Sequence, residues 1–235
     1  MIFRPFGRWP IGDNHSCLRK IDLHTSSNML RMCAVRNQRK SDPFSTLMQI
    51  SQVQQGYFTS KQAIVAGYAD NTHTYHVRAG NWERVQRGIY RLTHLSPAED
   101  GLTPAYLLWT RGRDDQPVGV LSHETALSYF DLGDFNPPKV HVTVPIGFRR
   151  NSQTPKAVVL HHATLTPSEI TLMRGMPICR VVRALCDVLV KNILALEECR
   201  RLVKESRRRG LILDGEMEAA KANPMFSAVA GKLFR

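Results

Sequence analysis

Histidine, cysteine and acidic side chains in the second half of the chain have the greatest capacity for chemistry. His161 and His162 are adjacent, and together with Cys179 or His141 they offer the nitrogen and sulfur ligands that zinc prefers. Neighbouring residues on a strand point to opposite faces, however, so only one of the pair joins any given site. We therefore expect neither a metal centre nor a bound cofactor.

Catalytic signatures are also weak in this sequence. His123 and Glu124 follow Ser122, but no G-x-S-x-G elbow accompanies them, so His123 is expected to start or pack a helix. Asp187 follows Arg183 by four residues and is expected to pair with it on a helix. Phosphate-binding loops, dinucleotide fingerprints and H-E-x-x-H are absent from the sequence. The sequence favours a protein that is not an enzyme.

Positive charge is the strongest functional signal. The 235 residues carry a formal charge of +12, which indicates a polyanionic partner such as nucleic acid. The net charge is +5 over residues 1–42, +3 over 43–95, −2 over 96–150 and +6 over 151–235. An acidic middle between basic ends predicts two separate places where a polyanion is met.

Composition narrows the class of protein. Apolar residues make up 43% and charged residues 22%, as in ordinary globular proteins, and the length fits one large domain or two modest ones. No uninterrupted apolar stretch is long enough to span a membrane, so no membrane partner is expected. Five cysteines without a C-x-x-C pair favour a reducing cytoplasm.

Residues 1–41 differ from the rest because no helical or strand periodicity persists in them. One interpretation is a flexible basic arm. The other is a non-native extension upstream of a true start at Met29, Met32 or Met48, of which Met48 fits worst because it cuts into the first predicted helix.

Residues 42–95 show helix signals in close succession. Asp42 before Pro43 combines a capping side chain with a residue favoured at the first helical position. Thr59 and Gln62 have the spacing of a capping box, which predicts a second helix over Ser60–Ala66 that buries Ala63, Ile64 and Ala66.

A third helix and a hairpin complete this unit. The helix is predicted over residues 71–79, with Asp70 as its cap and Gly80 as a left-handed terminus. Residues 82–86 and 89–92 are predicted strands joined by a two-residue turn. Three helices and a hairpin form a winged helix-turn-helix, whose third helix enters the major groove of DNA.

Helical periodicity divides the third helix into two faces, with His73, His76 and Val77 predicted to point inward. The side chains expected to contact bases or phosphates lie on the outer face, on the hairpin and at the start of the second helix. These candidates are Lys61, Asn71, Thr72, Thr74, Tyr75, Arg78, Arg84 and Arg87.

Residues 96–235 are predicted to form a larger mixed α+β domain. Its predicted helices are 96–110, 122–130, 178–190, 193–209 and 214–222, and its predicted strands are 140–145 and 157–162. A second basic patch consists of Arg200, Arg201, Lys204, Arg207, Arg208 and Arg209. Such a run is either a solvated helix face or a clamp for phosphates or for an acidic protein.

Several segments resemble AbiEi-like antitoxins of type IV (abortive-infection) toxin–antitoxin systems. The matching segments are Gly56–Ser60, Ala63–Gly67, Trp82–Leu92, Ser122–Leu127, Val140–Pro145, and Gly175–Ile178 running into Arg183–Asp187. Ala184 and Cys186 depart from the pattern of relatives, which leaves the packing of that helix in doubt. The resemblance extends over residues 43–215.

The resemblance implies a bacterial antitoxin whose winged helix binds promoter DNA and represses its own operon. It also implies a cognate nucleotidyltransferase-like toxin as partner. Some relatives continue into a nuclease domain, which is not expected here because the chain ends shortly after residue 222. Two other readings stay open: a protein-interaction module, and an inactive remnant of a winged-helix nuclease.

Overall fold

The structure, a computed structural model, describes residues 42–234. The basic arm predicted over residues 1–41 lies outside the described residues. Within this range the chain has the mixed α+β fold expected from the sequence.

The N-terminal unit has the element order of a winged helix-turn-helix. Its elements are α1 (Pro43–Val53), β1 (Tyr57–Thr59), α2 (Ser60–Ala66), α3 (His73–Arg78), β2 (Trp82–Gln86) and β3 (Ile89–Leu92). The three strands form an antiparallel sheet in the order β1-β3-β2. The bounds of α2, β2 and β3 agree with the prediction.

Two capping interactions start the first helices as predicted. The backbone N–H of Ser45 donates to the Asp42 carboxylate at 3.1 Å. At α2, Gln62 N–H donates to Thr59 Oγ1 at 3.1 Å, and Thr59 N–H donates to Gln62 Oε1 at 2.8 Å. Both halves of the capping box are therefore present, which satisfies two backbone donors that the helix itself leaves unpaired.

Other expectations for this unit were wrong. The third helix begins with a 3-10 turn over Asp70–Thr72, so Asp70 lies within this turn instead of capping the helix. The capping position belongs to Ala69, which makes no side-chain cap bond. Ile64 is exposed rather than buried, since α2 buries only its Ala63 and Ala66 face. Strand β1 was not predicted because three residues carry too little periodicity to recognise.

An aromatic cluster fills the core of the N-terminal unit. Trp82 is 2% exposed and lies at its centre. The surrounding rings and their centroid distances from Trp82 are His76 at 4.6 Å, Phe58 and Tyr68 at 5.0 Å, His73 at 5.3 Å and Tyr90 at 5.7 Å. This cluster joins α3 to the sheet, because His73 and His76 belong to α3 and Trp82 to β2.

The second half packs helices against a five-stranded sheet. The elements are α4 (Thr103–Trp109), β4 (Val120–Leu121), α5 (His123–Tyr129), β5 (Val140–Val144), β6 (Val158–His162), β7 (Ile170–Met173), β8 (Met176–Cys179), α6 (Val181–Val190), α7 (Leu196–Arg208), α8 (Asp214–Ala222) and α9 (Ser227–Leu233). The strand order is β6-β5-β4-β8-β7. The β5–β6 and β4–β8 pairs are parallel, and the other two pairs are antiparallel.

Several boundaries in this half differ from the prediction. The helix predicted from residue 96 begins only at Thr103, and Ile178 lies in β8 rather than in a helix. Strands β4, β7 and β8 and helix α9 were missed. Each missed strand has four residues or fewer, which is too short for periodicity to recognise. β4 also pairs with β5 and β8 across long sequence separations, whereas β7 and β8 form a local hairpin.

Helix α4 lies between the two halves and packs against both. All of its residues are buried. Leu108 and Trp109 pack with Tyr57 of β1 and Ile89 of β3 in one apolar cluster. Leu107, on another side of the helix, belongs to the large core of the second half. The sheet of the N-terminal unit therefore rests on an element that also belongs to the second core.

We predict that Trp82→Ala lowers the free energy of unfolding by about 3–5 kcal/mol, because it removes the central ring of a packed core. Tyr75→Ala is the matched control, since Tyr75 is a 66% exposed aromatic residue on α3 and its loss changes stability by no more than about 0.5 kcal/mol. Urea unfolding followed by circular dichroism measures both. Equal losses in the two variants would contradict the central position of Trp82.

Candidate nucleic-acid interface

Helix α3 presents a polar face to solvent. Asn71, Thr74, Tyr75 and Arg78 are all exposed, whereas His73 is buried on the opposite face. The helix and its preceding 3-10 turn together are about 13 Å long at about 1.5 Å per residue, which suits the major groove. The predicted inward positions of His73, His76 and Val77 are confirmed, since Val77 packs against the aromatic cluster.

His76 on the inner face of α3 is half-buried. Burial lowers the pKa of His76 from its ordinary value of 6.5, and nearby His73 lowers it further. The His76 imidazole is therefore neutral at neutral pH, which suits its stacking on Trp82. His73 Nδ1 lies 3.5 Å from an Asp70 carboxylate oxygen, so the acidic residue at the start of α3 has a local partner.

Two of the predicted contact residues are engaged by the protein itself. The hydroxyl of Thr72 donates to the carbonyl of Ala69 at 2.6 Å, which closes the 3-10 turn. Lys61 is exposed, and its Nζ donates to the carbonyl of Arg113 at 3.0 Å. Lys61 thus lies where the start of α2 meets a loop of the second half.

The hairpin arginines are exposed on a short wing. Arg84 and Trp82 are two residues apart on β2, so by alternation they share the face that packs under α3. Arg87 is at the turn beside Gly88, whose φ of +69° suits glycine in a tight hairpin. The Gly88 carbonyl accepts from Ser60 N–H at 3.1 Å and from Arg111 Nη2 at 3.4 Å, so this turn is held in place.

Acidic residues neutralise little of the positive charge around α3 and the β2–β3 hairpin. Asp70 and Glu83 are the acidic residues between positions 43 and 95, and Glu83 accepts from Arg91 Nε at 3.0 Å. Arg78, Arg84 and Arg87 form no ion pair with any described residue. A net positive surface therefore lies beside the polar face of α3.

The second basic patch divides into fixed and free side chains. Arg200 donates to the carbonyl of Lys232 at 2.8 Å, and Arg209 donates to the carbonyls of Asp131 at 2.6 Å and Phe130 at 2.8 Å. These two guanidinium groups join α7 and its C-terminal end to neighbouring segments.

The other four cations of the patch are exposed. Arg207 lies 3.5 Å from Asp214, so part of its charge is offset. Arg201, Lys204 and Arg208 follow one another at i, i+3 and i+7, which places them on one face of α7. Among the described residues, only Arg201 of this stripe has an ion-pair partner: its Nη2 lies 3.6 Å from Glu198 Oε1.

Three histidines lie together in the second half. One nitrogen from each of His123, His141 and His161 lies within 4.8 Å of the other two. Burial, with the neighbouring histidines, lowers the pKa of His123 to about 2 and that of His161 to about 4, and burial also lowers that of His141. All three rings are therefore neutral at neutral pH.

Sequence analysis considered two of these three histidines together, His141 and His161, with His162 as the alternative to His161. The prediction that only one of the adjacent His161 and His162 joins a given site is confirmed, since His162 is exposed on the other face of the strand. The parallel pairing of β5 with β6 and the fold of α5 over them leave no mark in local sequence, so His123 was missed as a partner. Cys179 is buried outside this group, and burial raises the pKa of its thiol far above the usual range.

Among the described residues, no helix combines the length and the apolar character needed to cross a membrane. No curated protein matches the chain.

A protein-family model matches the N-terminal unit. Residues 45–93 match the model of a family described as a transcriptional regulator, AbiEi antitoxin. The resemblance noted in the sequence is confirmed over these residues, which span the N-terminal unit almost completely. The family is one of transcriptional regulators and antitoxins.

A solved structure of the RV2827C protein from Mycobacterium tuberculosis has a similar fold. The TM-score is 0.52 at 13% sequence identity, and the similarity covers 81% of this chain and 76% of that chain. This similarity supports the α+β architecture across both halves.

Proposed function

We propose, from the match of residues 45–93 to AbiEi antitoxin regulators, that the protein is a cytoplasmic, non-enzymatic regulator that binds promoter DNA and represses its own operon. In this proposal residues 42–95 are the DNA-binding domain and residues 96–235 the antitoxin domain. The observation that carries it is the exposed polar face of α3 beside Arg84 and Arg87 of the hairpin, which form no ion pair with any described residue.

The proposed contacts follow from the chemistry of the exposed side chains. Asn71, Thr74, Tyr75 and Arg78 present hydrogen-bonding groups from the face of α3 that can enter the major groove, where base edges differ in their donors and acceptors. Arg84 on the hairpin and Arg87 at its turn supply charge for the phosphate backbone. Thr72 and Lys61 take the flanking positions, with Lys61 over the backbone near the start of α2.

The proposed antitoxin activity concerns a nucleotidyltransferase-like toxin. The stripe of Arg201, Lys204 and Arg208 supports a second polyanionic contact because it is exposed and lacks full compensation by acidic neighbours. We assign this stripe to an acidic surface of the toxin. Arg200, Arg207 and Arg209 take supporting positions in the same helix, since their groups already have partners in the protein.

The first prediction is that binding to the protein's own promoter falls steeply with salt, because each phosphate contact releases counterions. For ~4–6 phosphates neutralised, the slope of log K against log salt is about −4 to −5. Fluorescence anisotropy with labelled promoter DNA at several salt concentrations measures it. Binding that is undetectable or insensitive to salt would exclude DNA recognition by this unit.

The second prediction separates base reading from phosphate binding. Arg78→Ala on α3 is expected to reduce the preference for promoter over unrelated DNA by about 1–3 kcal/mol, while Arg87→Ala weakens both DNAs equally and reduces the salt slope by about 1. Competition anisotropy measures both effects. Lys139→Ala is the charge-matched control, since Lys139 is exposed in the second half. Equal loss of discrimination in both arginine variants would reject this division of roles.

The third prediction concerns the toxin. The neighbouring reading frame is expected to encode a toxin that arrests growth, with growth restored by co-expression of this protein. Lys204→Glu combined with Arg208→Glu is expected to abolish that rescue and leave promoter binding unchanged, whereas Arg78→Ala has the reverse effect. Full rescue by the double variant would remove the stripe from toxin recognition, and loss of promoter binding would assign it to DNA.

A further inference from the structure

We propose that His123, His141 and His161 form a binding site for a divalent transition-metal ion such as Zn²⁺, with the remaining position left to water. The site lies between α5 and the parallel strands β5 and β6. It is separate from the DNA-binding surface and does not depend on the proposed function. It also replaces the expectation from the sequence that the protein has no metal centre.

The backbone holds the three histidines in a fixed arrangement. The register of β5 and β6 pairs Thr143 with His161 and leaves His141 two residues away on the same face. His141 is held on both sides, because its N–H donates to Thr125 Oγ1 at 2.9 Å and its carbonyl accepts from Ser122 N–H at 3.0 Å. The rings therefore converge from three segments whose backbones are tied to one another.

The nitrogen distances suit a shared cation. His141 Nδ1 lies 3.1 Å from His161 Nε2. Two nitrogens bound to one zinc ion at about 2.0–2.1 Å in tetrahedral geometry are about 3.3 Å apart. This pair thus already has nearly the separation of two ligands, and His123 offers a third nitrogen within 4.8 Å.

Polar groups also contact the ring nitrogens of His141 and His123 that would not bind the ion. Metal-binding histidines commonly donate a hydrogen bond from their second ring N–H to a carboxylate, a carbonyl or another polar group. A Glu124 carboxylate oxygen lies 3.6 Å from His141 Nε2, which favours the tautomer with its lone pair on Nδ1. His123 Nδ1 lies 3.0 Å from Ser122 Oγ, which also accepts from Thr143 Oγ1 at 2.8 Å. When His123 Nδ1 donates to this hydroxyl, Nε2 remains for the metal.

The strained backbone at His123 supports a functional position. Its φ is +53°, in the left-handed region that residues other than glycine seldom occupy. Such strain is retained where the surrounding structure enforces it, and it concentrates at functional sites. A different residue could start α5 without this conformation, but it would not place an imidazole against His161, whose ring stacks on His123 at 3.6 Å.

The surrounding charge permits a cation. The positive charge of Arg183 opposes a second positive charge at His123. That charge is offset by ion pairs of Arg183 with Asp187 at 3.0 Å and with Glu169 at 2.9 Å. Lys191 contributes exposed positive charge that opposes binding, while Glu124 favours it. Coordination by all three rings requires His123 and His161 to turn out of their stacked orientation about χ2, a torsion with broad preferences in histidine. His141 and His161 are half-buried, so an ion can enter from solvent.

The test is a titration of the full chain, first stripped of metal with a chelator, with Co²⁺ and then competition by Zn²⁺. We expect one Co²⁺ per chain, with visible d–d bands and no thiolate charge-transfer band. His161→Gln is expected to weaken binding by more than about 100-fold, because loss of a ligand exceeds the 10–100-fold loss typical of a supporting partner. His162→Gln is the matched control and leaves binding unchanged, since His162 is the adjacent exposed histidine.

A thermal-unfolding series keeps the test decisive if His161→Gln does not fold. Zn²⁺ is expected to raise the Tm of the parent chain and of His162→Gln, since an ion that binds only the folded state stabilises it. Glu124→Gln is expected to weaken binding by about 10–100-fold with the stoichiometry preserved. The proposal is overturned by absence of saturable binding, by thiolate bands, by equal losses in His161→Gln and His162→Gln, or by binding that Glu124→Gln leaves unchanged.

Discussion

The packing of Trp82 against α3 is the interaction on which the exposed surface of the N-terminal unit depends. A helix of six residues has too few internal hydrogen bonds to be stable alone, so its orientation comes from what it packs against. His76 stacks on Trp82 and His73 packs against it at a tilt, and these contacts fix the rotation of α3 about its axis. Because residues three and four apart share a helix face, the same contacts turn Asn71, Thr74, Tyr75 and Arg78 to solvent.

Helix α4 extends this dependence to the second half. The N-terminal sheet has only three strands. Its face at Tyr57 and Ile89 is covered by Leu108 and Trp109 of α4 rather than by the helices of the N-terminal unit. Polar contacts reinforce this junction: Thr59 Oγ1 donates to the Asp115 carboxylate, which also pairs with Arg111 at 3.1 Å. A change in the packing of the second half can therefore reach the β2–β3 hairpin of the N-terminal unit.

The second half concentrates its polar groups between helices and strands. Arg183 is 3% exposed at its side chain and bonds both Asp187 and Glu169, as expected for a buried charge that must have partners. The histidine group on β5, β6 and α5 is a different case, since three neutral imidazoles share a space with Glu124 beside them. The ion pairs thus satisfy one another, whereas the histidine nitrogens remain available to a ligand.

Local signals in the sequence determined the N-terminal unit closely. Capping residues, turn glycines and short-range periodicity act over a few residues, so the bounds of α2, β2, β3 and α8 and the inward face of α3 could be predicted from them. The starts of α4 and α6, the strands β4, β7 and β8, and the exposure of Ile64 could not. Tertiary packing decides the helix starts, strand β4 and the exposure of Ile64, because burial there depends on segments distant in the chain. β7 and β8 form a local hairpin and were missed because each has only four residues.

The candidate sites divide in the same way. The sequence alone indicated which arginines, threonines and asparagine lie on α3 and the hairpin, since a helix and a two-residue turn place side chains by local geometry. Only the tertiary structure decided that Arg200 and Arg209 bond carbonyls of other segments. It alone brought His123 to His141 and His161, because parallel strands acquire their register from the whole sheet and not from their own residues.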